Sequence, residues 1–406
     1  MTGISQLRFI SIVPDTGSSP TEEMMECLKK LESACRPPGI RNESSNEKIL
    51  KLTFFIKAED NADFHEAKSL LIKVLSDILP ENYPAVSFIG QPPENDRHLA
   101  LEAMVLNSGD QDVNVCYKKM GDISYTLVQY SRYQEVYAAG LTIDNRSSEI
   151  EVQSQGAFKK LNELLIRENM DLGHIVRQWN YVEDIVGKKA GEGGERQNYQ
   201  VFNDVRTTFY DRATFKFGYP SATGIGMNAG GIVLEAIATD AGESLQIAPL
   251  SNPRQQDAHR YSQKVLVGIP ITSFSKKTSP KFERAKLICD GVSGLIYVAG
   301  TASIRGQETI GVGDVEMQTQ TTIENIAELT SPENLKQHGF QPESPAAPFS
   351  YLRVYVKNAA DIPRVKKICT QAYGSSPSLY VVSDVCRPEL LVEIEGAVFY
   401  PVLKPS

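Results

Sequence analysis

VQSQGAFKKLNELL at 152–165 and MQTQTTIENIAELT at 317–330 read as one helix written twice. In register, Phe158, Leu161 and Leu164 fall on Ile323, Ile326 and Leu329, an apolar i, i+3, i+6 stripe along one helix face. A third copy is fainter. TEEMMECLKKLESA from Thr21 carries Leu28 and Leu31 in matching places, and Ser19 and Pro20 before it suit an N-cap and a first-turn proline.

A repeated helix implies a repeated module. Each copy is followed by a β-rich segment ending in an acidic residue: LKLTFFIKAED to Asp60, VRQWNYVED to Asp184, LRVYVKNAAD to Asp361. A second amphipathic helix comes next, in ADFHEAKSLLIKVL, NYQVFNDVRTTFY and IPRVKKICTQAY. A proline (Pro84, Pro220, Pro377) then opens a strand, and a closing strand carries a glutamate, Glu102, Glu235 or Glu395. The order strand, helix, strand, helix, strand, strand therefore occurs three times. It predicts an α+β protein of three tandem modules, 1–108, 109–242 and 243–406, with mixed sheets and helices packed on one face. GKKAGEGGERQ (187–197) and HGFQPESPAAP (338–348) read as loops, and the former lacks the GxxxxGK[ST] pattern of a phosphate-binding loop.

Composition narrows the function. The 406 residues are 41% hydrophobic and 23% charged, with a net charge of -8. That balance suits a soluble globular chain and argues against a nucleic-acid partner, which needs a basic field. An anionic ligand would need a local basic pocket. The opening MTGISQLRFISIVPDTG has no secretory pattern, and no run of about 18 apolar residues predicts a membrane span. The six cysteines lack CxxC spacing and read as reduced thiols of a cytoplasmic protein. The five histidines are dispersed, without HExxH or zinc spacing, so neither a metal nor another cofactor is expected.

The closing strands differ two residues before their shared glutamate, where Ala100, Val233 and Glu393 stand. Side chains two apart on a strand share a face. The glutamate common to all three modules reads as structural, facing a central region. Glu393 belongs to the third module alone and reads either as a solvated strand charge or as a catalytic acid.

The element order resembles the YjgF/Rid (reactive-intermediate deaminase, chorismate-mutase-like) fold, most clearly from about Leu287 to Val402. That family usually forms homotrimers with ligand sites between subunits, so three modules in one chain imply a covalent pseudo-trimer that works as a monomer. From residue 175 onward the resemblance narrows. RQWNYVEDI, FNDVRTTFY, YPSATGIGM, NPRQQDAHRY, SPKFERA, VAGTASIRGQET and CRPELLVEIEG occur in that order and together resemble the chorismatase family.

The resemblance implies hydrolysis of the enolpyruvyl ether of chorismate to pyruvate and a dihydroxycyclohexadiene carboxylate or hydroxybenzoate, as in secondary metabolism. It assigns the general acid to the glutamate seven residues after the cysteine, here Glu393 after Cys386. Cys386 would line the pocket, although a packing thiol is an equal reading. A substrate with two carboxylates needs placed guanidiniums. Arg387 is the first candidate and Arg206 the second, with Tyr210 one turn on as a hydroxyl donor; Arg254, Arg284 and Arg305 rank below. Ala299, Gly300 and Thr301 would approach the ring, and Tyr219 would face it.

The family's histidines after GTASI are missing, with Gln307 in the run instead. A Rid-type imine deaminase would carry an arginine soon after the proline of the penultimate strand, where SLYVV follows Pro377. A non-catalytic protein that binds a small aromatic acid is the remaining reading.

Overall fold

The computed structural model describes residues 3–35, 47–79, 83–108, 113–143, 149–191, 194–342 and 348–401. The first module contains β1 (Leu7–Ile12), α1 (Pro20–Ala34), β2 (Glu47–Ile56), α2 (Asn61–Ile78), β3 (Ala85–Ile89) and β4 (Leu99–Asn107). The second opens with β5 (Asn114–Met120), β6 (Ile123–Gln129) and β7 (Gln134–Leu141). It continues through α3 (Ile150–Arg167), β8 (Ile175–Glu183), β9 (Lys188–Gly191), β10 (Gly194–Gln197), α4 (Asn198–Tyr210), β11 (Ser221–Met227) and β12 (Ile232–Asp240). The third opens with β13 (Gln246–Leu250), β14 (Ala285–Cys289), β15 (Ser293–Ala302), β16 (Ile304–Arg305) and β17 (Glu308–Thr309). It ends with α5 (Val315–Leu329), α6 (Pro332–Gln337), β18 (Phe349–Val356), α7 (Ile362–Tyr373), β19 (Ser378–Val382) and β20 (Val392–Pro401).

The local chemistry explains the helix starts. Ser19 caps α1 by accepting from the Glu22 N–H, with Pro20 in the first turn, and Asp60 caps α2 by accepting from Ala62 and Asp63. The repeat also governs the sheets, whose strand orders are β3-β2-β4-β1, β11-β8-β12-β7-β6-β5 and β19-β18-β20-β15-β14-β13. In each, the first two strands are parallel because a helix (α2, α4 or α7) carries the chain across between them. The remaining neighbours are antiparallel. The leading strands β5, β6, β13 and β14 were not anticipated from the sequence.

Each sheet buries its two faces differently. On one, the helix stripes pack down: Leu28 and Leu31 against Phe54 and Leu101, Phe158 and Leu161 against Leu234, Ile323 and Ile326 against Val298 and Ile394. Each such side chain removed from water contributes roughly 1.5–3 kcal/mol. The other faces share one apolar cluster containing Phe55, Trp179, Tyr297 and Tyr355.

The modules also meet in one cyclic sense: β3 against β7, β11 against β15, β19 against β1. The shared glutamates follow that cycle. Glu235 accepts from Lys51 Nζ (2.6 Å) and Thr53 Oγ1 (2.9 Å). Glu395 accepts from Arg177 Nη2 (2.8 Å) and Trp179 Nε1 (2.7 Å), and Glu102 accepts from Arg353. Each is thus held by the central strand of a neighbouring module, so burial of these carboxylates joins the modules to one another.

One sequence reading changes. Residues 187–197 do not form a plain loop, because Lys188–Gly191 pairs antiparallel with Gly194–Gln197 as a hairpin whose tip lies outside the described residues. Within 338–348, residues 343–347 also lie outside them. A long connection, 251–284, joins β13 to β14 with one short 3-10 turn at Ala258–Arg260. Structure-poor connections of this length usually serve a site. Among the described residues no helix is long and apolar enough to cross a membrane.

Candidate active site

β20 sets the geometry. Glu393 and Glu395 stand two residues apart on it, and both are buried. Opposite them, Val298 pairs with Gly396 and Thr301 with Ile394, so Ala299 and Gly300 together face Glu395. This β-bulge re-aims the strand. It places Gly300 where a Cβ would lie 2.0 Å from Glu393 Oε1, so glycine makes the room the carboxyl occupies. The Gly300 N–H donates to Thr223 Oγ1 (2.9 Å), and Thr223 in turn donates to Glu395. The second module has an equivalent irregularity at Gly140, whose N–H donates to Ser87 Oγ (2.6 Å), but Val233 stands there in place of the acid.

A cleft of about 680 Å³, counting space open to solvent, runs past Glu393. Gln197, Tyr199, Gln200 and Asn203 at the start of α4 form one wall, with Ala222 and Gly224 of β11. Gly300, Ala302, Ile304, Cys386 and Arg387 form the other. The 251–284 connection covers it with Tyr261, Val265, Leu266, Val267, Pro280, Phe282 and Arg284. Two modules and a long connection therefore build one site. Gln318 of α5 stabilises the approach to β20: its side chain donates to Glu389 O (2.9 Å) and accepts from the Leu391 N–H (2.8 Å).

The two glutamates sit in opposed environments. Burial, helped by the negative charge of Glu395, pushes the Glu393 carboxyl up to about 8, against the pull of Arg284 and Arg177. Burial would also raise Glu395, but Arg177 and Arg353 outweigh it and hold that carboxyl below its ordinary range. Neighbouring carboxyls driven apart in this way are the usual basis of an acid and a fixed anion in one site. Burial pushes the Cys386 thiol up to about 12, with Glu393 adding to the shift, so the sulfur is a thiol and no nucleophilic thiolate.

Two guanidiniums complete the cleft. Arg387 Nη1 donates to Gln307 O (2.8 Å), and its Cζ lies 5.4 Å from the Tyr261 ring centroid. Arg284, 3% exposed, donates from Nη2 to Gln256 O (2.7 Å) and Tyr261 Oη (2.6 Å), while its buried Nε has no hydrogen-bond partner among the described residues. Among the described residues neither forms an ion pair with a carboxylate.

Of the residues singled out from the sequence, Glu393, Cys386, Arg387 and Gly300 come together around the cleft. Five others stand outside its wall. Ala299 and Thr301 flank Gly300 but are buried, and the Thr301 hydroxyl donates to Ala299 O (2.9 Å). Arg206 follows Tyr199 and Asn203 on the same helix stripe but lies a turn beyond the cleft, donating to Asn203 Oδ1 and stacking over Phe202. Tyr210 is farther along, with its hydroxyl on Gln178 Oε1 (2.6 Å). Tyr219 packs against Tyr210 and Phe215.

Sequence reasoning ranked Arg284 low and did not consider Tyr261, Tyr199 or Asn203. The signal was present in part, since SPKFERA contains Arg284 and NPRQQDAHRY contains Tyr261. Arg254 and Arg305 instead pair with Glu324.

Comparison with known proteins places these features in context. The family description "Chorismatase FkbO/Hyg5-like, N-terminal" matches residues 114–238. The chain is 34% identical over 251 residues to the 3-hydroxybenzoate synthase of Streptomyces hygroscopicus, an overlap covering 60% of this chain and 68% of that protein. It is 35% identical over 226 residues to a chorismatase of Streptomyces rapamycinicus, covering 55% of this chain and 64% of that one. The crystal structure of a chorismatase superposes with a TM-score of 0.67 at 20% identity, covering 97% of this chain and 99% of the other, which establishes the shared fold.

Proposed function

The chain belongs to the chorismatase family, and from that premise we propose that it hydrolyses the enolpyruvyl ether of chorismate to pyruvate and a dihydroxycyclohexadiene carboxylate or hydroxybenzoate. The observation that carries the reading is a buried carboxyl, pushed up to about 8, lining one cleft with two guanidiniums that have no carboxylate partner among the described residues. With Glu393 uncharged, Arg284 and Arg387 present two positive charges to a ligand. Chorismate carries two carboxylates, so an acidic protein gains a basic site of matching charge.

The chemistry follows from that arrangement. Glu393 gives its proton to the methylene carbon of the enolpyruvyl group, the double-bond pair forms the new C–H bond, and the ether carbon becomes an oxocarbenium centre. Water adds there and its proton returns to the Glu393 carboxylate. The hemiketal hydroxyl then gives up its proton as the bond to the ring oxygen breaks, and the ring oxygen takes a proton and leaves as an alcohol, giving pyruvate and the dihydroxycyclohexadiene carboxylate, from which loss of one water would give the hydroxybenzoate. Glu395 remains ionised behind the site and keeps the acid's proton affinity high. Cys386 serves as an uncharged wall against the ring. Arg206 supports the site through Asn203. We read the working unit as a cytoplasmic single chain whose three modules form a covalent pseudo-trimer.

The direct test is incubation of pure protein with chorismate. Pyruvate is expected. No pyruvate from chorismate, with ammonia and pyruvate released from 2-aminoacrylate in a separate incubation above the spontaneous rate, would favour deaminase chemistry, and benzoate binding with turnover of neither substrate would favour a binding protein. Gly300→Ala is a sharper probe of the geometry. The added methyl falls on the position of the Glu393 carboxyl and must displace it. A misplacement of about 1 Å at a reacting group costs on the order of a hundredfold, so kcat should fall by about that factor. Undiminished kcat in this variant would refute the placement.

A further inference from the structure

We propose that Tyr261 is a positioning residue that sets two substrate-binding arginines at a fixed spacing, a reading that rests on the hydrolase proposed above. Arg284 enters the cleft at the foot of β14, and Arg387 comes from the segment before β20. Both are donors only, so no direct hydrogen bond can join the two. What they share is Tyr261, half-buried on the 251–284 connection. Its hydroxyl accepts from Arg284 Nη2 at 2.6 Å, and its ring lies 5.4 Å from the Arg387 Cζ and 5.6 Å from that of Arg284. A ring face attracts a cation at these distances, and a hydroxyl acceptor fixes the plane of a guanidinium.

Holding two like charges against one ring is unfavourable until an anion joins them. Their unsatisfied capacity, including the buried Arg284 Nε, therefore marks the ligand as an anion with two acidic groups. A compound with one carboxylate can use one arginine. A dicarboxylate can use both, provided their separation is held, and Tyr261 holds it. The contact with Arg387 ties the covering connection to the wall that carries that arginine, so the spacing is set when the cleft is covered.

Calorimetric titration of the full chain with isophthalate and with benzoate tests this. The wild-type protein is expected to bind isophthalate at least about tenfold more tightly than benzoate. Tyr261→Phe keeps the ring under Arg387 and removes the acceptor for Arg284, so that preference should fall below about threefold, with benzoate affinity little changed. With chorismate, KM should rise about tenfold while kcat stays within about threefold. Arg284→Gln should cause a similar loss of preference, and adding Tyr261→Phe to it should cost nothing more, because the hydroxyl acts through that arginine.

Equal weakening of both acids, no change in their ratio, additive losses in the double variant, or no wild-type preference would each overturn the proposal. If the binding pattern holds but chorismate yields no pyruvate, the hydrolase reading fails and the positioning role stands.

Discussion

Glu393→Gln is expected to lower the turnover of chorismate by roughly 10²–10⁴-fold, the range for removing a general acid, while leaving the protein folded. Glutamine fills the space made by Gly300 and keeps a hydrogen-bonding head, but it has no proton to give. In the wild-type protein the same group should set the alkaline limb of kcat, with rate lost as pH rises through about 8.

In the variant, stability should move in the opposite direction from activity. The folded carboxyl keeps a proton that the unfolded chain releases above its ordinary value of 4.5. The folded state therefore binds more protons between about 4.5 and 8, so stability falls as pH rises across that window and levels off above it. Glu393→Gln removes that loss. Urea unfolding should find the variant no less stable than wild type at pH 4.5 and more stable above pH 8, by on the order of a few kcal/mol. A variant with full turnover, or one that gains no stability at high pH, would contradict the assignment.

Arg353→Ala is expected to cost about 3–5 kcal/mol of stability, because it strands the buried Glu102 carboxylate. Arg353 is 1% exposed and holds Glu102 of another module, the Tyr181 hydroxyl at 2.8 Å and Glu395 at 3.1 Å. Its removal leaves Glu102 without an ion-pair partner among the described residues, while Glu395 keeps Arg177, Thr223 and Trp179. Pairing Arg353→Leu with Glu102→Leu should recover at least half of the loss, because the orphaned carboxylate goes with its partner. Thermal or urea unfolding measures both. Equal losses in the single and double variants would show that the pair contributes through packing alone.

The parts of this molecule that were legible in the sequence depend on local periodicity. The stripe at Phe158, Leu161 and Leu164 predicted both a helix and its buried face, because core packing selects an apolar stripe. The offset between Glu393 and Glu395 was legible because strand side chains alternate with period two. Features that depend on distant partners were not legible. Arg284 and Arg305 are the same residue type in neighbouring motifs, yet one meets a tyrosine hydroxyl and the other Glu324. Nothing local distinguishes them.

The bulge that aims Gly300 is a register shift between β15 and β20, set by the partner strand. The covering connection has no periodicity from which its fold over the cleft could be read. The hairpin at 188–197 was missed because its glycine-rich composition suits a loop equally well.

Everything proposed for the site depends on the protonation of Glu393, which can be measured. Infrared spectra of the wild-type protein minus the Glu393→Gln variant, taken from pH 4 to 10, isolate that carboxyl. A protonated carbonyl band is expected that persists through neutrality and disappears with a midpoint near 8. A band already lost by pH 6, with the midpoint at the ordinary 4.5, would contradict it.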